Sequence, residues 1–458
     1  MESICTDAQK EALQQLECLF NLDSDQLRKF ADHLVEELDD GLRKKDEDSA
    51  IAMLPSWITR HPTGQEKGQY VGLELSGSYV HLYLVELLGQ GRTSTRQQKY
   101  LVADRLKKGS IHPLIEFIAG TIGKFLDFID MKENAGGIPI GLAISFPLHQ
   151  TSLQNAVVLK WTKDFDITDA NDKDIVALLQ TELQKRYIPI TIKAVLNGTA
   201  ASLLAHSYRS LDTLLSCTVS TGTNAAYWEK ASAVKKCNFE DGQEVIINTE
   251  WGTFGRHHEH CLPRTFYDNR VDRESTNAGV HHFEKMVSGL YLGEIVRQIL
   301  VDLVDRRILF AGRCSSELNQ PQSLPVSYMN AMEQDESEDL TNVEHIMESI
   351  MNIPKTSRHD RHIVKRVCQL VSQRAARLVA AGMSAIIKKS GALETGLTVS
   401  VEGTIYEHYP SFPNRVNEAL RELYDKKFEN INIGVTPDGN GVGAALAAMI
   451  GSCESARN

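Results

Sequence analysis

A junction at residues 197–199 is the point in this 458-residue chain where polar side chains would meet a ligand. The β-branched run TIKAVLN ends at Asn197, and the small-residue segment GTAASLLAH starts a predicted helix at Gly198. Enzymes built on parallel sheets place polar catalytic groups at such carboxyl ends of strands. The junction supplies an asparagine, a glycine and a threonine, so it can bind polar ligands, but it has no acid to accept a proton.

Two hairpins with glycine turns offer a second kind of chemistry. The runs YVGLEL and SYVHLYLVEL flank Ser76-Gly77, and LLSCTVS and NAAYWEK flank the turn at 221–223. Such turns present backbone N–H groups to phosphates. A further turn, PDGNGVG, precedes the helix AALAAMI and is equally compatible with nucleotide binding and with close helix–strand packing.

The elements around these turns define the expected architecture. Periodicity predicts helices over 7–48, 111–130, 172–186, 279–315 and 360–390, and the buried runs IPIGLAISF, VIINTEW, LTVSVEGTIY and NINIGV predict strands. The polar, acidic stretch 316–345 predicts an excursion on the surface. Because each glycine hairpin is followed by alternating strands and helices, we expect an α/β protein of two similar lobes with a cleft between them.

Composition restricts the class of protein. A net charge of −11 argues against a general nucleic-acid binder. The eight cysteines form no CxxC pair, so reduced thiols are expected. The N-terminus has no secretory or transit pattern, and no run of 18 apolar residues predicts a membrane span. We therefore expect an intracellular protein, cytoplasmic and/or nuclear, with no direct nucleic-acid or membrane contact.

Longer strings carry a resemblance that single turns do not. They are LPSWITRHPTGQEKGQY (54–70), SFPLHQTSL (145–153), LKWTKDFDI (159–167), STGTNAAY (220–227), INTEWGTF (247–254), LPRTFYD (262–268), FEKMVSGLYLGEIVR (283–297) and DGNGVGAAL (438–446). In order and spacing the chain resembles the eukaryotic hexokinase family from about residue 10 to 450. The resemblance implies an actin-like (ribonuclease H-like) two-lobed α/β fold with sugar and ATP in the interlobe cleft.

The resemblance also implies domain boundaries. Residues 1–60 would form an N-terminal helical segment on the large lobe. Residues 61–197 would form the small lobe, to which 434–458 returns, and 198–433 would form the large lobe.

The sugar-binding positions of the family are all matched in this chain. They fall on Ser145, Thr162, Lys163, Asn197, Asn224, Glu250 and Glu284. Carboxylates, amides and a lysine suit a hexose, because vicinal hydroxyls both donate and accept hydrogen bonds. The alternative is that these residues are inherited fold positions. Buried Glu and Lys are unfavourable without a partner, which favours a working sugar pocket.

The catalytic side departs from the family. The aspartate that serves the family as general base is replaced by Gly198, so no catalytic residue is assigned. In the first hairpin the family's Asp, Gly, Asn and Arg have become Glu74, Ser76, Tyr79 and His81. The loop thereby loses a fixed positive charge, and a serine at a turn glycine is unfavourable wherever φ must be positive.

The nucleotide positions implied by the resemblance are only partly kept. They are Glu74, Gly77, Ser78, Thr221, Gly222, Thr223, Gly439 and Gly441. The resemblance therefore implies ATP and Mg²⁺ as possible ligands. The changes in the first hairpin weaken the expectation that they bind. No structural metal is expected.

Three further features of the sequence bear on the site. Asp164 places an extra carboxylate beside Lys163, either as a displaced base or, more simply, as a solvated loop acid. The run 256–261 (RHHEHC) lacks the spacing of a metal site and predicts a surface loop. His281-His282 replaces a glutamine pair of the family and would alter hydrogen bonding at the edge of the sugar pocket.

These observations predict a hexokinase-like protein that keeps its hexose (glucose) pocket and lacks the catalytic base. It is similar to the atypical, non-phosphorylating hexokinase-like proteins of filamentous fungi, which implies a sugar sensor that regulates carbon-starvation responses through a protein partner. One alternative is a slow or specialised ATP-dependent hexose phosphotransferase. The other is an interaction scaffold without ligand.

Overall fold

The computed structural model describes residues 6–44, 49–131, 138–162, 164–240, 242–256 and 259–455. Its helices are α1 (Asp7–Phe20), α2 (Ser24–Arg43), α3 (His112–Phe128), α4 (Ile175–Lys185), α5 (Gly198–Arg209), α6 (Phe266–Glu274), α7 (His282–Val287), α8 (Gly289–Asp305), α9 (Ser316–Asn319), α10 (Val326–Glu333), α11 (Thr341–Glu344), α12 (Arg358–Ser390), α13 (Thr404–His408), α14 (Ser411–Tyr424) and α15 (Gly439–Ser455).

Its strands alternate with these helices along the chain. They are β1 (Leu54–Pro55), β2 (Lys67–Leu75), β3 (Tyr79–Gly89), β4 (Arg92–Leu101), β5 (Lys108–Gly109), β6 (Ile138–Ile144), β7 (Leu148–His149), β8 (Val157–Val158), β9 (Asp166–Ile167), β10 (Ile190–Asn197), β11 (Thr213–Val219), β12 (Thr223–Lys230), β13 (Glu244–Asn248), β14 (Leu397–Glu402) and β15 (Ile431–Gly434).

Two mixed sheets organise the molecule. The first has the order β10-β6-β2-β3-β4, and the second has the order β1-β13-β12-β11-β14-β15. In each sheet a hairpin leads into parallel strands: β2 and β3 pair antiparallel while β2 and β6 run parallel, and β11 and β12 pair antiparallel while β11 and β14 run parallel. The repeated unit expected from the two glycine hairpins is therefore present.

Helices α5 and α15 pack together in a core that also includes residues of both sheets, such as Tyr83 and Trp228. A Cβ at Gly441 would overlap the Tyr83 ring, and one at Gly443 would overlap the backbone of Ala201. These two glycines of the last turn are therefore needed for close packing, one of the two interpretations left open by the sequence.

The N-terminal helices pack on the second sheet's lobe. Leu34 and Leu38 of α2 are fully buried in the same core as α12 and α14. On the surface of this contact, Arg366 of α12 donates to Glu17 of α1 at 2.5 Å, across 349 positions of sequence. The N-terminal helices thus share one core with helices that begin beyond residue 357, whereas the boundaries at residues 60, 197 and 433 stay predictions.

Three expectations about elements were wrong in detail. The helical stretch 7–48 is two helices, because Asp23 starts a new capping box before α2. Strand β4 was missed because its polar side chains show no buried face. The stretch 316–345 is not a polar excursion, since α10 within it buries Met329 and Met332 in the core. Among the described residues, no helix is long and apolar enough to cross a membrane.

Candidate functional site

The junction between β10 and α5 lies where the two lobes meet. Asn197 caps α5, with its side-chain oxygen accepting from the Thr199 amide at 2.9 Å and its amide donating to the Phe146 carbonyl at 3.2 Å. Gly198 is the first residue of the helix. A Cβ built there would lie 3.2 Å from the Asn440 side-chain oxygen and 3.5 Å from Ser145 Oγ. A side chain at position 198, where the sequence predicts no base, would therefore face the polar groups of Asn440 and Ser145.

A network of amides and one carboxylate lies beside this junction. Asn224 donates to Asn248 at 2.7 Å and to Glu250 at 3.2 Å, and Asn248 donates to the same Glu250 oxygen at 2.8 Å. Glu250 has a left-handed backbone (φ 57°). The Glu250 amide donates to the Asn224 side-chain oxygen, and this hydrogen bond stabilises the strained conformation. The structure thus brings Asn197, Asn224 and Glu250 together, in a pre-arranged polar surface.

Asn248 was missed by sequence reasoning. It is 3 % exposed and links Asn224 to Glu250. The only signal was its place at the end of the predicted strand VIINTEW, two residues before Glu250.

Glu284 reaches the site from the start of α7. Its carboxylate accepts the Thr223 amide at 3.0 Å. A Cβ at Gly222 would lie 2.6 Å from the same carboxylate oxygen, so this glycine leaves room for Glu284. Glu284, predicted to bind the sugar, therefore lies against Gly222 and Thr223, which were predicted to bind the nucleotide. The Thr223 hydroxyl donates to the Thr218 carbonyl and accepts from the Trp251 indole N–H.

The loop that follows β8 holds the remaining predicted sugar residues. Thr162 is half-buried, and Lys163 lies outside the described residues. Asp164 is exposed in a left-handed turn (φ 67°), as expected for a solvated loop acid. The part that this loop takes in sugar binding stays a prediction.

Beneath the cleft, two carboxylates are held by uncharged partners. Glu74 of β2 accepts from Asn440 at 2.9 Å, and Glu402 at the end of β14 accepts from Ser202 at 2.6 Å and from Thr218 at 2.9 Å. Burial raises the pKa of Glu402 to about 7, although these hydroxyls oppose the change.

A chain of hydroxyls connects Glu402 to the junction. Thr199 and Thr218 lie 3.1 Å apart through their Oγ atoms, and Thr218 donates to Glu402. No motif predicted this connection, because Thr199, Thr218 and Glu402 come from separate elements.

The first hairpin turn is closed by its own serine. Ser76 Oγ accepts from the amides of Ser78 at 3.4 Å and Tyr79 at 3.1 Å, and donates to the Tyr79 carbonyl at 3.2 Å. Neither Ser76 nor Gly77 has a positive φ, so the strain considered for Ser76 is absent. Burial lowers the pKa of His81, which is therefore uncharged at neutral pH.

A cavity opens beside the second turn. It measures about 260 Å³, and Thr221, Gly289, Glu294 and Thr404 are among its lining residues. At the third turn a Cβ on Gly439 would lie 2.7 Å from Ser202 Oγ, next to Glu402. Of the predicted nucleotide residues, Thr221 thus borders open space, whereas Gly439 and Gly441 lie against protein atoms.

The two histidines before Glu284 differ in their surroundings. His281 Nδ1 lies 3.8 Å from Glu284 Oε1, whereas His282 Nδ1 lies 3.7 Å from Asp272 and is buried. Burial, with a contribution from Lys160, lowers the pKa of His281 to about 4, so its ring is neutral at pH 7. Of these two histidines, it is therefore His281 that borders the Glu284 carboxylate.

In the parts of the chain that the structure describes, no group of three or more His, Cys, Asp or Glu side chains is arranged to hold a metal ion. His257 and His258 of the 256–261 run lie outside the described residues, and His260 is exposed.

Comparison with known proteins identifies this arrangement. Two family models, both described as hexokinase, match residues 12–208 and 214–450. The chain belongs to the hexokinase family. It is 34 % identical over 451 residues to hexokinase of Kluyveromyces lactis and to hexokinase-1 of Saccharomyces cerevisiae, covering 96 % of this chain and 92 % of each relative.

Solved hexokinases share the fold. The hexokinase of Schistosoma mansoni complexed with glucose superposes with a TM-score of 0.88 at 32 % identity, over 97 % of this chain and all of that chain. The chain thus has the actin-like, two-lobed α/β fold of the hexokinase family, as expected from the motifs.

Proposed function

We propose that this chain binds a hexose such as glucose in the interlobe cleft and transfers phosphate to it slowly or not at all, acting as a sugar-responsive regulator of the carbon-starvation response. The observation that carries this proposal is Gly198. It begins α5 beside Asn197 and Ser145, and it supplies no proton acceptor there. Loss of a general base lowers a rate by about 10² to 10⁴.

Sugar binding is supported by the polar network rather than by the family alone. Asn224, Asn248 and Glu250 are already hydrogen-bonded to one another, and Glu284 is held by the Thr223 amide. A hexose that replaces or extends these bonds would enter a surface ordered before binding. Glucose is the preferred candidate because the similar Schistosoma mansoni hexokinase was solved with it.

Regulation would follow from closure of the cleft. The proposed sugar residues come from segments of both lobes, such as Ser145 after β6 and Glu250 after β13. A sugar that binds the closed form more tightly shifts the population toward it, whether or not phosphate is transferred. A protein partner that recognises the closed form would then respond to hexose.

The test combines binding and turnover. Calorimetry with glucose should give saturable binding to the wild type, and Glu250→Gln should weaken it by at least about tenfold, because one accepting oxygen of the network becomes a donor. Glu244→Gln, an exposed change at the start of β13, the strand that ends just before Glu250, is the matched control. ATP-dependent phosphorylation of glucose, fructose, mannose and N-acetylglucosamine is then measured on the same protein.

Each part of the proposal can fail separately. Absence of binding to all four sugars contradicts the sugar pocket and favours a scaffold without ligand, for which Glu250→Gln would leave regulation unchanged. Turnover at an ordinary enzyme rate, about 10 s⁻¹ or more, contradicts the inference from Gly198.

A slow or specialised ATP-dependent hexose phosphotransferase is the second candidate. The observation in its favour is Glu402, whose carboxyl is linked by Thr218 and Thr199 to the start of α5. A pKa near 7 suits a proton acceptor. If residual turnover uses this group, Glu402→Gln abolishes it and leaves glucose affinity unchanged, whereas loss of turnover in Asp164→Ala would instead assign the role to Asp164.

A further inference from the structure

The amides of the two glycine turns are used differently. In the first turn, Ser76 Oγ accepts two amide protons and donates its own proton to the Tyr79 carbonyl. A serine hydroxyl has one donor and two acceptor positions, so all three are occupied. The hydroxyl oxygen therefore stands where an anionic oxygen would accept the amides of Ser78 and Tyr79.

The second turn, by contrast, has backbone amides without a hydrogen-bond acceptor in the described part of the chain. In the described part of the chain, the backbone amides of Thr221 and Gly222 donate no hydrogen bond, and Thr221 borders the cavity of about 260 Å³. Only the next amide, that of Thr223, is taken, by the Glu284 carboxylate. Unused amides beside an open cavity are suited to a phosphate group.

Charge around the first turn also disfavours an anion. Lys99 Nζ lies 4.0 Å from the centre of the Tyr79 ring, so this cation is placed over an aromatic face of the turn. His81 is neutral at pH 7 because burial lowers its pKa. Glu74, at the end of β2 next to the turn, has its carboxylate bound by Asn440.

We propose that Ser76 satisfies the first hairpin turn internally, so that the phosphates of a nucleotide are held by the second turn alone until the Ser76 hydroxyl is displaced. This inference deepens the proposed function and rests on it for the identity of the cleft as the ligand site. Ser76 is thereby a positioning residue that sets nucleotide affinity. It acts through the amides of Ser78 and Tyr79, which it occupies.

The test measures nucleotide binding without turnover. Calorimetry with the magnesium complex of a non-hydrolysable ATP analogue is run on the wild type, Ser76→Gly and Ser76→Ala. Both variants free two amides, and a hydrogen bond to a charged group contributes about 1.5–3 kcal/mol. We expect at least about tenfold tighter binding for each variant, and the same gain with inorganic triphosphate.

A matched serine provides the control. Ser390 at the end of α12 makes the same type of contact, donating to the Ile387 carbonyl and accepting from the Ala392 amide. Ser390→Gly should leave nucleotide affinity unchanged. Circular dichroism establishes that each variant is folded.

The contradicting results are distinct. Unchanged or weaker nucleotide binding by a folded Ser76→Ala overturns the proposal, and a gain in Ser76→Gly alone would assign the effect to backbone freedom instead of the hydroxyl. A gain confined to the nucleotide and absent for inorganic triphosphate would also overturn it. Failure of glucose binding with the nucleotide gain intact would refute the proposed function and leave this inference standing.

Discussion

Gly198→Asp is the change that bears most directly on the proposed loss of chemistry. The position is the first residue of α5 and has no positive φ, so an aspartate fits the backbone. Its Cβ would lie 3.2 Å from Asn440 Oδ1, which requires Asn440 to move by a few tenths of an ångström. An acid in the first turn of a helix is stabilised by the helix dipole by about 0.3–1 kcal/mol, so the fold should tolerate it.

The expected gain follows from these contacts. A positioned base contributes about 10² to 10⁴ in rate, or roughly 2.7–5.4 kcal/mol of barrier. Asn440 also donates a hydrogen bond to Glu74. Because Gly198→Asp would displace Asn440 and disturb this bond, we expect the gain in rate to lie near the lower limit of that range. We therefore expect kcat for ATP-dependent glucose phosphorylation to rise about 100-fold over the wild type.

The assay needs a variant of equal size that cannot accept a proton. Gly198→Asn adds the same number of side-chain atoms at the start of α5 without a carboxylate. Coupled detection of ADP release at saturating glucose and ATP gives kcat for both variants. If Asn raises kcat as much as Asp, or if a folded, glucose-binding Asp variant gains nothing, the reasoning from Gly198 is refuted.

Three other perturbations have defined outcomes. Gly222→Ala should weaken glucose binding about 10- to 100-fold in calorimetry, since its Cβ would displace Glu284, and an unchanged Kd would show that Glu284 can relax. Asn248→Leu should lower the free energy of unfolding in urea by about 1–3 kcal/mol, because two partners lose a buried bond; a neutral effect argues against the network. The pKa of Glu402 is raised on folding, so ionising it destabilises the fold as pH rises from about 4.5 through 7. Glu402→Gln should therefore gain stability relative to wild type between pH 5 and pH 8, by up to about 3 kcal/mol, and parallel pH profiles would contradict the raised pKa.

Sequence reasoning reached the two hairpins and the fold because glycine turns and buried strands have local signatures. It failed at β4, whose residues face solvent and carry no apolar alternation. It also failed for 316–345, since a few buried methionines such as Met329 are enough to anchor a polar segment.

The candidate site divides in the same way. Residues such as Asn224 and Glu250 could be identified from motifs, but the hydrogen-bond partners that orient their side chains could not. Asn248 belongs to a strand pattern, and the approach of Thr218 to Glu402 joins elements 184 positions apart. Ser76 was recognised as a changed residue, whereas its closure of the turn depends on a hydroxyl rotamer that no spacing encodes.

The packing of α1 and α2 against α12 has a consequence for biosynthesis. Glu17 leaves the ribosome 349 residues before its partner Arg366, and at about 5–20 residues per second that interval is roughly 20–70 s. During this time the part of α2 that packs on α12 lacks its native partner. The nascent chain therefore exposes apolar residues of an amphipathic helix for most of its translation, as expected of a segment that chaperones bind.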